Sequence, residues 1–228
     1  MESSSQKFWI NPPAYVKISD CDYAEANRHM AYSIEKPSET YLIAGLGNPG
    51  LEYRQTRHNF GFLALDTLAE DAKLPLKKVK FKAMIAEGRL EGKPVVLAKP
   101  LTFMNESGTS ITSLMRFFKI DLEHLLIIHD DLDLPFGTIR MRADGGTSGQ
   151  KGMASIIERL GTQTFPRMRL GIGHPPGQME PADYVLQRFS KADDEVLKIV
   201  LQFAVEAAQT FVRDGLVTAM NRYNGEAG

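Results

Sequence analysis

One histidine, one aspartate and two asparagines are placed where they could share a single hydrolytic task. His58 stands just before a helix-like pattern, and Asp130 ends an apolar run. Asn48 and Asn105 lie in loops that follow two other apolar runs. Histidine can take a proton from water near neutral pH. A carboxylate on its other ring nitrogen would fix the tautomer and stabilise the imidazolium. Asparagine amides can donate hydrogen bonds to a carbonyl oxygen as negative charge develops there. No serine sits in a Gly-x-Ser-x-Gly elbow, and Cys21 is the single cysteine and remote from these loops, so water is the expected nucleophile. The histidines show no His-x-x-x-His spacing and there is no cysteine pair, so neither a metal nor a cofactor is expected. Each residue also has a plainer reading: His58 as a helix-start residue, Asn105 as an N-cap, Asp130 and Asp133 as turn residues. Their joint placement at three strand ends favours a shared site.

The loop that carries Asn48 and His58 also contains Gly45-x-Gly47-x-x-Gly50, which matches a dinucleotide-binding fingerprint in its letters. A true fingerprint sets its last glycine in the first turn of a helix. It also places an acidic residue at the end of a second strand about 20 residues on. Pro49, before the last glycine, favours an extended turn over immediate helix entry. Asp66 has roughly the right spacing but falls inside a helical pattern. The glycines are therefore expected to shape a loop, and a nucleotide-dependent oxidoreductase is the weakest of the functional readings.

The elements that must position these residues follow from hydrophobic period. Residues 41–46, 84–86, 95–98, 125–128, 137–142 and 168–172 read as strands, with a turn at Glu91-Gly92 joining two of them. Helical spacing runs through Phe62, Leu65 and Leu68, through Ile111, Leu114 and Phe118, over 151–160 and over 192–214. Alternating strands and helices predict an α/β class fold, a single-domain α/β/α sandwich, and the hairpin makes its twisted central sheet mixed. Ligands in such sheets sit beyond the carboxyl ends of strands. The clusters after Leu46, Ala98 and Ile128 fall there, and the Gly145–Gly149 loop before the helix at 151 offers backbone N–H groups to an anion.

The chain has 228 residues, 43% hydrophobic and 24% charged, with a net charge of −1. Such a core needs no disulfide. The lone cysteine points to a reducing compartment, and no apolar run approaches a membrane span, so a cytoplasmic protein without a membrane partner is expected. Two blocks depart from neutrality. Residues 73–93 carry Lys73, Lys77, Lys78, Lys80, Lys82, Arg89 and Lys93, and residues 140–169 carry Arg140, Arg142, Lys151, Arg159, Arg167 and Arg169. A neutral total with basic blocks fits a local phosphate-binding face. Residues 1–40, with Ser3-Ser4-Ser5 and Pro12-Pro13, have no sustained period and read as a loosely packed extension to a 41–228 domain.

At these residues the chain resembles bacterial-type peptidyl-tRNA hydrolases. The resemblance spans about 41–225 and rests on GLGNPGLEYRQTRHNFGF, KPLTFMNESG, HDDLDLPFG, GGTSGQKGMASI and FPRMRLGIGHPPG, in that order. It implies cleavage of the ester joining a peptide to the 3′-terminal ribose of tRNA, by a monomer whose partner is peptidyl-tRNA. It implies His58 as general base and Asp130 as its orienting carboxylate. By the same resemblance Asn48 senses the blocked α-amino group, and Asn105 positions water and the substrate carbonyl. Tyr53 and Phe103 match positions lining the tRNA 3′-end and peptide site, with Met104 in the same wall. Arg142 and Arg169 fall where the family has basic residues near a tRNA phosphate. Many members read Gly-His-Asn-Gly where this chain has Gly149-Gln150-Lys151-Gly152, so Lys151 replaces an asparagine that contacts substrate. The rival reading is an RNA-binding or splicing cofactor on the same fold. The retained His58, Asp130, Asn48 and Asn105 favour the enzyme.

Overall fold

The protein is seen in a computed structural model, which describes residues 39–227. The extension expected over 1–40 lies, through residue 38, outside the described residues. The first strand, β1 (Tyr41–Gly45), is buried along its whole length, as an apolar run without alternation requires. After it come α1 (Phe60–Asp71), β2 (Lys78–Lys80), β3 (Ala83–Leu90), β4 (Lys93–Pro100) and α2 (Ser107–Phe118). The second half supplies β5 (Leu125–Asp131), β6 (Thr138–Asp144), α3 (Lys151–Leu160), β7 (Thr164–Gly171) and the short α4 (Pro181–Val185). It ends with α5 (Asp194–Asp214), α6 (Leu216–Tyr223) and β8 (Gly225–Glu226).

The strands form one sheet in the order β2-β3-β4-β1-β5-β7-β6-β8. The inner pairs β4/β1, β1/β5 and β5/β7 are parallel, and the pairs outside them are antiparallel. The mixed sheet is as expected, and the antiparallel pairing extends to both flanks. Side chains alternate across it. Tyr41, Ile43, Leu126 and Ile128 join α1 and α5 in one core, whereas Leu42, Ala44, Leu125 and Ile127 join α2 and α3 in the other. The result is a three-layer α/β/α sandwich. Because the chain leaves β1 for β4 and then returns across it to β5, the crevice at the carboxyl ends of these three strands is where a ligand fits.

Sequence periodicity missed β2, α4, α6 and β8. β2 reads Lys-Val-Lys and has no apolar alternation to show, since an edge strand needs to bury little and lysine protects it from pairing with another chain. The other three are at most eight residues long.

The glycines of the apparent fingerprint serve a different purpose. A Cβ on Gly45 would lie 2.1 Å from the Gly61 carbonyl oxygen, and one on Gly61 would lie 2.3 Å from the Ile128 carbonyl oxygen. The start of α1 is thus pressed directly onto the ends of β1 and β5. Leu46 N–H donates to Ile128 O at 2.9 Å, and Phe62 N–H donates to Leu46 O at 3.1 Å. Gly61→Ala must push backbone apart, and is expected to cost about 2–3 kcal/mol, measured by urea unfolding.

Candidate active site

His58 lies in a 3-10 turn, Arg57–Asn59, that runs straight into α1. The close backbone approach at Gly61 brings this turn over the end of β5. There the Nδ1 of His58 lies 2.8 Å from Oδ2 of Asp130. Both side chains are nearly buried, with 11% of His58 and 3% of Asp130 exposed. The other carboxylate oxygen, Oδ1, accepts from Nε2 of Gln150 at 3.1 Å. Gln150 in turn caps α3, its Oε1 accepting the Met153 N–H at 2.8 Å. With Nδ1–H donated to the carboxylate, Nε2 of His58 keeps a lone pair for a proton.

Three consecutive polar residues at the end of β5, His129-Asp130-Asp131, are all buried, and strand alternation sends them to different partners. Asp130 reaches His58 on the α1 side. Asp131 is held by Nε of Arg169 and accepts the Asp133 N–H at 2.9 Å. His129 donates Nδ1–H to the Asp130 carbonyl at 2.7 Å. Burial pulls its ionisation below the usual histidine range, outweighing Asp130, whose charge and carbonyl pull the other way.

The two asparagines are held differently. Asn59 grips the backbone of Asn48 at both ends, accepting its N–H at 2.8 Å and donating to its carbonyl at 3.0 Å. The Asn48 side chain accepts the Met104 N–H at 2.9 Å through Oδ1, which leaves its amide N–H donors for other partners. Asn105 is exposed in the 3-10 turn Met104–Glu106, and its side chain makes no hydrogen bond among the described residues. It is not the N-cap of α2, a position held by Glu106, so that plainer reading does not apply.

Asn48, His58, Phe103, Met104, Asn105, Asp130, Gln150 and Lys151 all line one cavity of about 570 Å³. Part of its lining is apolar and was not legible in the sequence: Leu132, with Pro181, Ala182 and Val185 of α4 and Leu186 after it. This wall is tied to the histidine turn. Arg57 donates through Nη1 to the Arg188 carbonyl at 2.6 Å and through Nη2 to Asp193 at 3.5 Å. Its guanidinium also lies 4.7 Å from the ring centre of Tyr184 and 5.2 Å from that of Phe189. The backbone adds a bridge between Thr56 and Arg188 and a bond from Arg57 N–H to Gln187 O.

The remaining expected site residues are placed differently from one another. Tyr53 does not line the cavity; it is half-buried, and its carbonyl accepts from the Thr56 hydroxyl and N–H. Lys151 lines the cavity at the first position of α3, and its side chain has no ion pair or hydrogen bond among the described residues. Arg142 is exposed on β6 and does not line the cavity. Arg169 is engaged internally, with Asp131 and with the Ser148 hydroxyl at 3.4 Å. Arg167 does not belong to a surface block at all. It is 1% exposed, stacks on Phe165 and donates to the carbonyls of Gly145, Gly146 and Gln163, so it holds the loop that supplies Ser148 and Gly149 to the cavity. Burial lowers its pKa to about 10, which leaves it charged at neutral pH. Among the described residues no group of histidine, cysteine and carboxylate side chains could hold a metal, and no helix is long and apolar enough to cross a membrane.

The sequence model of the peptidyl-tRNA hydrolase family matches residues 42–228. A peptidyl-tRNA hydrolase of Chloroflexus aggregans is 50% identical over 185 residues, covering 81% of this chain and 98% of the relative. One from Frankia casuarinae is 44% identical, covering 81% and 93%. The crystal structure of peptidyl-tRNA hydrolase from Acinetobacter baumannii superposes with a TM-score of 0.77 at 36% identity, covering 82% of this chain and 97% of that one. The chain belongs to the peptidyl-tRNA hydrolase family.

The buried His129 gives folding a pH dependence of definite sign. Unfolded, it titrates near the ordinary value of about 6.5; folded, it titrates lower. Stability from this group is therefore complete above about pH 6.5 and falls as pH drops toward the folded value, because only the unfolded chain takes up the proton. His129→Asn keeps an N–H donor and removes the titration. Its urea stability is expected to fall less steeply than the wild type's between about pH 6.5 and 5.

Proposed function

We propose that this protein hydrolyses the ester joining a peptide, or an N-blocked amino acid, to the 3′-terminal ribose of tRNA. The observation that carries the reading is the 2.8 Å contact between His58 and Asp130, opening on a cavity edged by Asn48 and Asn105, in a chain of this family. His58 acts as general base: Nε2 takes a proton from water as the water oxygen attacks the ester carbonyl carbon. Asp130 holds the ring and stabilises the imidazolium that forms. The carbonyl oxygen becomes an oxyanion, and the amides of Asn105 and Asn48 donate to it and to the acyl chain. When the intermediate collapses, the ribose oxygen leaves with the proton carried by His58. The products are a free carboxylic acid and tRNA with its 3′-hydroxyl restored.

Selection for a blocked α-amino group follows from the fixing of Asn48. Its Oδ1 is engaged by Met104, so it faces substrate as a donor. An amide carbonyl of a blocked substrate accepts from it, whereas a free α-ammonium offers only protons. Phe103, 60% exposed at the rim, suits stacking on the terminal adenine. Lys151 and the exposed Arg142 suit tRNA phosphates. Arg169 fits better as the anchor of Asp131, and Tyr53 as a support of the turn before His58. All these residues come from the single domain at 41–228, and a monomer in the cytoplasm, where tRNA is used, suffices for the reaction.

Release of N-acetylated amino acid from charged tRNA, with the unblocked aminoacyl-tRNA as control, tests the activity. His58→Ala is expected to lower kcat by about 10²–10⁴-fold while tRNA binding persists; turnover at the wild-type rate would sink the mechanism. Arg57→Lys keeps the charge but loses the planar fork that grips Arg188 and Asp193. Because a small misplacement of a base is costly, kcat is expected to fall about tenfold with KM nearly unchanged. A rise in KM alone would mean that Arg57 serves only the apolar wall.

A further inference from the structure

The basic stretch at 73–93 has no part in the cavity, and the turn inside it is anomalous. β2 and β3 pair as a hairpin in which Lys80 opposes Ala83, so the loop is the two residues Phe81 and Lys82. Both have positive φ, 49° and 55°. This is the turn that calls for Asn-Gly, because a bulky side chain in the left-handed region is strained. The next hairpin shows the usual solution: its loop, Glu91-Gly92, also has two positive φ values and puts glycine second. At the first hairpin an aromatic ring and a lysine occupy strained positions instead. Strain of this kind persists where something else requires it.

What surrounds the turn is a basic and aromatic surface. Phe81 lies 5.4 Å from Phe117 of α2, and Phe117 lies 4.9 Å from Phe118. Lys80 places its ammonium 3.5 Å from the centre of the Phe117 ring. Packing does not account for the arrangement, since Phe81 remains 40% and Phe117 52% exposed. Lys77, Lys82 and Arg116 are exposed around them, and none of the three, nor Lys80, has an ion pair among the described residues. Lys78 alone in this group pairs with an acid, Glu87, at 3.1 Å.

The surface continues to the rim of the cavity. Ala83 at the start of β3 opposes Pro100 at the end of β4, so the turn sits at the same end of the sheet as the catalytic loops. The carbonyl of Lys82 accepts the Leu101 N–H at 2.7 Å and the Ser110 hydroxyl at 3.0 Å. Two residues beyond Leu101, Phe103 lines the cavity.

We propose that the face formed by β2, the Phe81–Lys82 turn and the Phe117–Phe118 end of α2 is an RNA-binding surface that takes the tRNA body beyond its 3′ end. Lysines and Arg116 meet backbone phosphates, and the exposed rings of Phe81 and Phe117 stack on an unpaired base. The inference rests on the reading of the substrate as tRNA, but its test is separable from that reading.

Phe81→Asn with Lys82→Gly installs the turn chemistry the backbone favours, so the double variant keeps or raises the urea stability of the full-length chain. Deacylated tRNA is the binding probe. The variant is expected to bind it roughly tenfold more weakly, with a salt dependence shallower by about one phosphate contact. Hydrolysis of the N-acetylaminoacyl ester of the trinucleotide CCA, which lacks the tRNA body, is expected to stay at the wild-type rate. Unchanged tRNA affinity and salt slope would overturn the proposal, as would equal losses on tRNA and on the short ester. Failure of the wild type to cleave N-acetylaminoacyl-tRNA while it binds deacylated tRNA would count against the hydrolase reading and leave the surface standing.

Discussion

The structure turns on one close backbone approach. The start of α1 lies against the ends of β1 and β5 with no room for a side chain at Gly45 or Gly61. A helix packed on a sheet normally keeps its backbone well clear of it, and here the gap is closed until the Phe62 N–H donates to the Leu46 carbonyl while the Leu46 N–H donates to the Ile128 carbonyl. Backbone bonds of this kind are short, directional and shielded from water, so they fix the helix start to within tenths of an ångström. His58 lies three residues before Gly61 and inherits that position. Its contact with Asp130 is a consequence of where the two backbones meet.

The polar end of β5 could not be buried without such positioning. Two carboxylates and an imidazole side by side in a strand would be costly to desolvate if any were left unpaired. Each has its own partner: His58 and Gln150 for Asp130, Arg169 for Asp131, a carbonyl for His129. Alternation along the strand keeps neighbouring residues from competing for one partner. A substitution at any of these partners therefore acts on the surroundings of His58 and on stability together, and kinetic and stability measurements need to be read side by side.

The legible part of the sequence was the part governed by short-range rules. Apolar runs marked the parallel strands, helical spacing marked the long helices, and polar clusters at strand ends located Asn48, His58, Asn105 and Asp130, which line one cavity. The apparent fingerprint misled only in its letters, and the context of Pro49 and Asp66 was enough to reject it. What could not be read were pairings between distant residues of ordinary type. Arg57 meets Arg188 and Asp193, more than 130 positions away, and nothing in its own neighbourhood announces this. Arg167 counted as surface charge and is buried under its own loop. Gln150 looked like a departure from a family pattern, and its amide proves able to bond the carboxylate with one end and cap α3 with the other.

The two sides of the cavity consequently differ in how firmly they are built. The side that carries His58 and Asp130 is set by main-chain contacts among β1, β5 and α1, where only glycine fits and little can move. The apolar side, α4 and the residues after it, is joined to the histidine turn and its flanks through Arg57, a β-bridge, the Phe189 N–H donating to the Gln55 carbonyl, and the Phe189 ring against Phe60. A substrate whose peptide varies needs this division. The ester and the terminal adenosine are constant and can meet rigid donors, whereas the acyl chain must be admitted whatever its side chains. Apolar contact is non-directional and tolerates such variety better than hydrogen bonds do. In the proposed mechanism the rigid half thus selects the bond to be cut, and the tethered half accommodates what is attached to it.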